Sequence, residues 1–289
     1  MDFNVKIEVG RSVYRGDIVR SLAILAIVLV LISAVLIAYK ALEVFPPSKP
    51  EKPTLTPKEQ YVRNMTVIYL PMPRLKGEVS LEEALSMRRS IREYTDKPLS
   101  LDVLAQILWA AQGINEVKRG FRTAPSAGAT YPLEVYVVVK EGGVIGLKAG
   151  IYHYNVFLHA LELVKTGDFS EELAEAALGQ RWVRDAMVNL VIVAIYERTT
   201  ARYGDRGYRY VHMEVGHVGQ NVYLQSCVLG LGTVAVGAFY DDQVREILGV
   251  PLNYHPLYIM PIGYAKEQYK LSFKNLEEFY TEQRTRYGK

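Results

Sequence analysis

The sequence predicts an α+β domain, a sheet covered by helices, on three observations. Short, strongly apolar runs such as Val188 to Tyr196 have the length of buried strands. Apolar residues recur at helical spacing between Tyr208 and Leu229, at Val211, Val215, Val218, Val222 and Leu229. Helical and extended segments then alternate without a strict βαβ rhythm, which argues against a doubly wound parallel sheet. At 289 residues the chain is long enough to bury a large core.

The first element is an apolar run. Between Leu22 and Ala38 no residue is charged, and only Ser33 is polar. Such a run is just long enough to cross a bilayer as a helix, so a single-pass membrane helix is expected at 21–39, after an N-terminal flank at 1–20. A cleaved signal peptide would need a shorter run and a small-x-small site, whereas this run ends in Tyr39-Lys40. Lys6, Arg11, Arg15 and Arg20 on one side balance Lys40, Lys49, Lys52 and Lys58 on the other, so charge assigns the following domain to neither side. Residues 40–66 contain Phe45-Pro-Pro-Ser-Lys-Pro-Glu-Lys-Pro, a stiff proline-rich linker. Residues 67–289 form the folded domain.

Within that domain Ser80-Leu-Glu-Glu83 is a capping box and starts a helix that runs to about Arg89. Ser100 caps a second helix, Leu101 to Gln112, which Gly113 stops. Strands are expected at Leu133 to Lys140, Gly150 to Tyr154 and Ala160 to Val164. A helix from Ser170 to Leu178 and the Val188 to Tyr196 strand follow. The longest helix, Tyr208 to Leu229, carries Gly216 and Gly219, which suggests close packing by a neighbour. A strand from Gly232 to Phe239, a helix from Asp241 to Leu248 and a strand from Leu257 to Tyr264 complete the pattern.

A net charge of +3 gives no basis for nucleic-acid binding, and one cysteine excludes an internal disulfide or a multi-cysteine metal site. Gly230-Leu-Gly-Thr-Val-Ala235 matches a dinucleotide fingerprint, but a helix precedes it and a strand follows, the reverse of what phosphate binding there needs. Glu214-Val-Gly-His217 has di-iron spacing without the second copy and further glutamates such a site requires, so no metal is expected. Cys227 lies among Leu224, Val228 and Leu229 and reads as a buried, inert thiol.

Two signals remain. Met87-Arg-Arg-Ser-Ile-Arg-Glu-Tyr94 gathers three arginines and a serine at a helix end, either a solvated basic end or a phosphate clamp. Ala124-Pro-Ser-Ala-Gly-Ala-Thr-Tyr-Pro132 sets small residues before a strand, where a ligand could approach the backbone. Arg-Arg-Ser-Ile-Arg followed by Tyr-Thr-Asp resembles the N-terminal motif of the nitroreductase family of FMN enzymes. The second stretch resembles the Pro-Ser-Ala-Gly-x-x-Tyr-Pro signature of its SagB-type dehydrogenase branch, which oxidises azoline rings in peptides. Glu214 to Gln225, Gly230 to Phe239 and Leu257 to Tyr264 are similar to the family's central helix, flavin-side strand and closing strand.

That resemblance implies a nitroreductase-like fold with a mixed, mainly antiparallel sheet, a long central helix and a homodimer. It implies FMN as cofactor, with NAD(P)H as a candidate electron donor. Arg88, Arg89, Ser90 and Arg92 would meet the phosphate and ribityl chain. Pro125, Ser126, Ala127 and Gly128, with Val236, Gly237 and Ala238, would line the ring, and Lys266 is a further phosphate candidate. Tyr203, Arg206 and Arg209 are candidate substrate contacts, the arginines equally a salt-bridged helix start. The expected activity is ping-pong transfer through the flavin, on a peptide azoline or on a small aromatic or quinone-like acceptor. The alternative is a catalytically silent, membrane-tethered flavin-binding or sensor module.

Overall fold

A computed structural model describes residues 20, 22–34 and 66–288. Contacts within the chain separate residues 1–62 from residues 63–289. In the first unit residues 22–34 are helical and each is exposed. Among the described residues no helix is long and apolar enough to cross a membrane, so the expected anchor finds no support there. The rest of that span, most of the flank and nearly all of the linker lie outside the described residues.

The second unit begins with β1 (Val67–Tyr69), α1 (Leu81–Met87) and α2 (Leu101–Gln112). A hairpin of β2 (Ile114–Glu116) and β3 (Phe121–Arg122) leads through a 3-10 turn at Ala127–Ala129 to β4 (Leu133–Val139). Then come β5 (Gly150–Asn155), β6 (Ala160–Thr166), α3 (Ser170–Ala176), α4 (Arg181–Asp185) and β7 (Val188–Ala194). The chain closes with α5 (Glu197–Tyr203), α6 (Arg206–Val228), β8 (Leu231–Thr233), α7 (Asp241–Leu248), β9 (His255–Tyr264) and α8 (Phe273–Tyr287).

Local chemistry accounts for the early helices. Ser80 accepts from the Glu83 amide while the Glu83 carboxylate accepts from the Ser80 amide, so both limbs of the capping box form. Ser100 caps α2 through the Val103 amide. Both helices begin where the sequence predicts, and α1 stops at Met87, which leaves Arg88 and Arg89 on an extended segment.

The sheet has seven strands in the order β1-β6-β5-β4-β7-β9-β8. Every pairing between these strands is antiparallel, so the mixed sheet expected from the resemblance is simpler than anticipated. Alternation divides the core between two faces. Leu133, Val135, Val137, Leu190 and Ile192 pack under α2 and α6 with Val211, Val215, Val218 and Val222. Tyr136, Val138, Val191 and Val193 pack on the other face with residues of α3, α4 and α7. Central β7 is buried at all seven positions, which explains its unbroken apolar sequence.

Two expectations are corrected. The strand foreseen from Gly232 to Phe239 ends at Thr233; beyond it only Val236 bridges back, to Ile259. The Ala235 amide is taken by the Tyr223 hydroxyl at 2.8 Å, so the backbone leaves the ladder there. The two glycines of α6 also differ. A Cβ on Gly219 would sit 3.3 Å from the Tyr258 ring of the chain's own sheet, while one on Gly216 would meet nothing within 4 Å. Close packing is thus found at Gly219, against the chain's own sheet, and not at Gly216.

This difference sets a paired test. Gly219→Leu should lose roughly 1–3 kcal/mol by overpacking against Tyr258, whereas Gly216→Ala should gain up to about 1 kcal/mol in helix propensity. Urea denaturation of both variants reads the result, and equal effects at the two positions would contradict it.

Candidate functional site

The basic segment is laid flat on the sheet edge. The Ile91 amide donates to the Thr233 carbonyl at 2.9 Å, and the Thr95 amide to the Tyr264 carbonyl at 2.8 Å. Two glycines make room for it. A Cβ on Gly232 would lie 2.6 Å from Ile91 Cγ2, and one on Gly263 would lie 2.8 Å from Tyr94 Cβ. The small residues of the last two strands thus admit the arginine segment rather than a nucleotide.

Tyr223 of α6 ties this end together. Its hydroxyl accepts from the Ala235 amide and bonds Ser90 Oγ at 2.9 Å. The Arg88 guanidinium lies 5.4 Å from the Tyr223 ring and that of Arg89 lies 3.6 Å from the Tyr269 ring, in cation–π contact. The Lys266 amide donates to the Glu93 carbonyl at 3.1 Å, which brings its exposed side chain to the same edge. Val236 is buried, while Gly237 and Ala238 are exposed beside it. Arg92 turns aside and lies over Trp182 of α4, 5.2 Å from the ring centre. Cys227 is buried near Arg88 and Arg89, and burial pushes its thiol above the ordinary value.

The second group is the loop before β4. Gly128 has φ 61°, and Ala129 and Tyr131 also take positive φ, at 54° and 45°. The two non-glycine positions store strain on the order of 1–3 kcal/mol each, which only surrounding contacts can hold. The Ser126 hydroxyl accepts from the Tyr131 amide at 2.9 Å. α5 supplies the rest of the clamp. Thr199 bonds Thr130 at 2.8 Å, Arg198 donates to the Tyr131 carbonyl at 3.1 Å, and Arg202 donates to the Gly128 carbonyl at 3.3 Å. A Cβ on Gly128 would come 2.5 Å from the Tyr203 hydroxyl, so that hydroxyl sits directly against the loop.

Beneath the loop lies a buried polar cluster. Glu214 of α6 is 2 % exposed. Burial pushes its carboxyl up to about 7; the Ser126 hydroxyl, the Arg122 guanidinium and the Gln112 amide pull the other way without prevailing. Glu214 Oε1, Gln112 Nε2 and Arg122 Nε are all enclosed without a hydrogen-bond partner among the described residues. His217 is exposed, so Glu214 and His217 do not share a site, and no cluster of metal-ligating side chains occurs among the described residues.

The structure therefore brings Arg88, Arg89, Ser90, Val236, Gly237, Ala238 and Lys266 to one end of α6. Pro125, Ser126, Ala127, Gly128 and Tyr203 gather near the other. Glu214 and Tyr223, the helix residues that meet the two groups, are nine positions apart, about 13 Å along the axis. Arg206 and Arg209 are exposed on the first turns of α6, and no ion pair occupies them among the described residues. Sequence reasoning missed Tyr223, Arg198 and Arg202. It also missed the burial of Glu214, although Val211, Glu214, Val215 and Val218 fall at the i, i+3, i+4, i+7 positions of one apolar stripe.

The sequence profile of the nitroreductase family matches residues 85–264. A protein of Methanocaldococcus jannaschii that carries the nitroreductase name, MJ1384, is 53% identical over 186 residues, covering 64% of this chain and 91% of its own. The trifolitoxin-processing protein TfxB of Rhizobium leguminosarum bv. trifolii is 31% identical over 161 residues, 52% of this chain and 43% of its own length. A solved structure from Ralstonia eutropha, also carrying the nitroreductase name, superposes with a TM-score of 0.61 at 32% identity, over 70% of this chain and 90% of that one.

The Glu214 cluster generates a pH test. Its carboxyl titrates near 7 in the folded chain against an ordinary 4.5, so between those values the folded form keeps a proton that the unfolded chain has released. Its contribution to stability is complete below about pH 4.5 and is lost as pH rises through about 7. Glu214→Gln cannot ionise. Relative to the parent, it should gain roughly 1–3 kcal/mol between about pH 5 and pH 8. Urea melts at both pH values check this; a constant difference between parent and variant contradicts it.

Proposed function

The chain belongs to the nitroreductase family, and from that premise we propose that it is an FMN-dependent oxidoreductase working by ping-pong transfer. One observation supports this most: the cations at the sheet edge are uncommitted. Among the described residues no carboxylate lies within 4 Å of Arg88, Arg89 or Lys266. Arg88 and Arg89 instead lie over aromatic rings beside the Ser90 hydroxyl, an arrangement suited to a phosphate dianion. Beyond the Ala235 amide that Tyr223 anchors, Gly237 is exposed, and a Cβ there would meet only the Tyr258 ring, at 4.0 Å. The residues present fit FMN on both counts.

In this reading Arg88, Arg89, Ser90 and Lys266 hold the phosphate end. Val236, Gly237 and Ala238 would line the ring, the last two from exposed positions. When bound, the flavin supplies the redox chemistry, accepting hydride from one reactant and giving it to another. The chain's own part is position. The α5 clamp holds the loop that carries Ser126 to Gly128, whose strain lies at Ala129 and Tyr131, and Tyr203 stands at that loop to contact substrate. Arg206 and Arg209 extend the same rim. The separation of the two groups along α6 supports a homodimer in which the loop of one copy completes the edge of the other.

Two substrate classes suit such a site: a peptide azoline to be oxidised, or a small aromatic or quinone-like acceptor reduced at the expense of NAD(P)H. Similarity to a protein named for processing trifolitoxin supports the first.

Arg88→Ala combined with Ser90→Ala should weaken FMN binding about tenfold or more, read as loss of quenching of flavin fluorescence; unchanged affinity would place the phosphate elsewhere. The full chain loaded with FMN should also bleach near 450 nm under NADH or NADPH, or re-oxidise after dithionite with a quinone. A yellow protein inert to all of these would favour a silent flavin-binding module.

A further inference from the structure

A cavity of about 430 Å³ opens between the loop, β4, β5 and α5. None of Arg88, Ser90, Ser126 to Gly128 or Tyr203 lines it, so it is separate from the flavin site proposed above. The carboxylates of its floor are already paired. Glu134 accepts from Arg198 at 2.5 Å through one oxygen and from His153 at 2.8 Å through the other. Glu162 bonds the second His153 nitrogen at 3.0 Å and accepts from Asn155 at 2.7 Å. Burial works against charge on His153, but bonds from both glutamates outweigh it and hold the imidazole above its ordinary value. All four oxygens of the two carboxylates are thus spent on Arg198, His153 and Asn155.

Arg122 is left over. It lines the same cavity, and among the described residues no carboxylate lies within 4 Å of it. One of its protons goes to the neutral Gln112 amide at 3.0 Å, and Nε has no partner. Burial lowers its pKa, and the attraction of Glu134 and Glu214 acts only at longer range. The guanidinium sits 4.5 Å from the centre of the Tyr131 ring and 5.9 Å from that of Phe157. Phe157 is 76% exposed, an uncovered aromatic wall at the mouth.

An unmatched cation between aromatic faces selects a planar anion with an apolar body. We propose that this cavity binds a small aromatic carboxylate, with the carboxylate on Arg122 and the ring against Tyr131 and Phe157. Tyr131 closes the strained loop and its carbonyl is held by Arg198, so an occupant would touch the loop at Tyr131.

Calorimetric titration of the full-length chain with benzoate and with its neutral isostere benzamide tests this. Benzoate should bind saturably and about tenfold or more tighter than benzamide. Arg122→Gln should lose about that factor, and Phe157→Ala should lose several-fold, roughly what one aromatic contact supplies. Because Arg122 also touches the buried Gln112, Phe157→Ala carries the test if Arg122→Gln does not fold. The Arg88→Ala, Ser90→Ala double variant should keep benzoate affinity, which separates this site from the flavin site. Absence of saturable binding, equal binding of benzoate and benzamide, full affinity in Phe157→Ala, or loss in the double variant would each overturn the proposal.

Discussion

The packing of α6 on the sheet is the constraint on which the rest depends. Val211, Val215, Val218 and Val222 fix the helix over β4, β7 and β9. That contact sets the height of Tyr223 at one end and of Glu214 nearer the other. The Tyr223 hydroxyl joins Ser90 to the Ala235 amide, so the arginine segment and the broken end of β8 share a single anchor. Glu214 sits below the loop that carries Ser126. A shift of the helix would move both groups together, because apolar burial holds the rod rigidly and the polar groups ride on it.

Two kinds of force therefore divide the labour. The apolar faces of the sheet place the elements, and hydrogen bonds from side chains finish the site. The loop from Ser126 to Tyr131 shows this clearly. Its backbone is strained at Ala129 and Tyr131, and α5 holds it with Thr199, Arg198 and Arg202. The polar groups beneath it are incompletely matched: among the described residues Glu214 Oε1, Gln112 Nε2 and Arg122 Nε all lack partners.

Much of this was legible in the sequence. Capping residues marked the starts of α1 and α2, Gly113 marked an end, and periodicity found α6, β4 and β7. The small-residue loop and the arginine cluster were visible because their composition is unusual for their surroundings. α5 was not: it has seven residues, no side-chain cap and one buried position, Thr199. α8 has no buried residue at all, so no apolar stripe announces it. The Gly232 to Phe239 stretch looked like a continuous strand because β propensity is local, whereas the Tyr223 hydroxyl that diverts Ala235 lies twelve residues upstream on another element. The division of the site into two groups was invisible for the same reason: chain order says nothing of position along a helix axis.

The α5 clamp also has a consequence for the order in which the molecule matures. The Thr130–Thr199 bond spans 69 positions and the Ser90–Tyr223 bond spans 133. Contacts of such separation close only after the intervening chain has been gathered. On the ribosome, the loop and the arginine segment would both be made long before the residues that shape them. Neither group is therefore complete until α6 has emerged, and a truncated translation product ending before it would carry both segments without Tyr223 and Glu214, the residues that meet them.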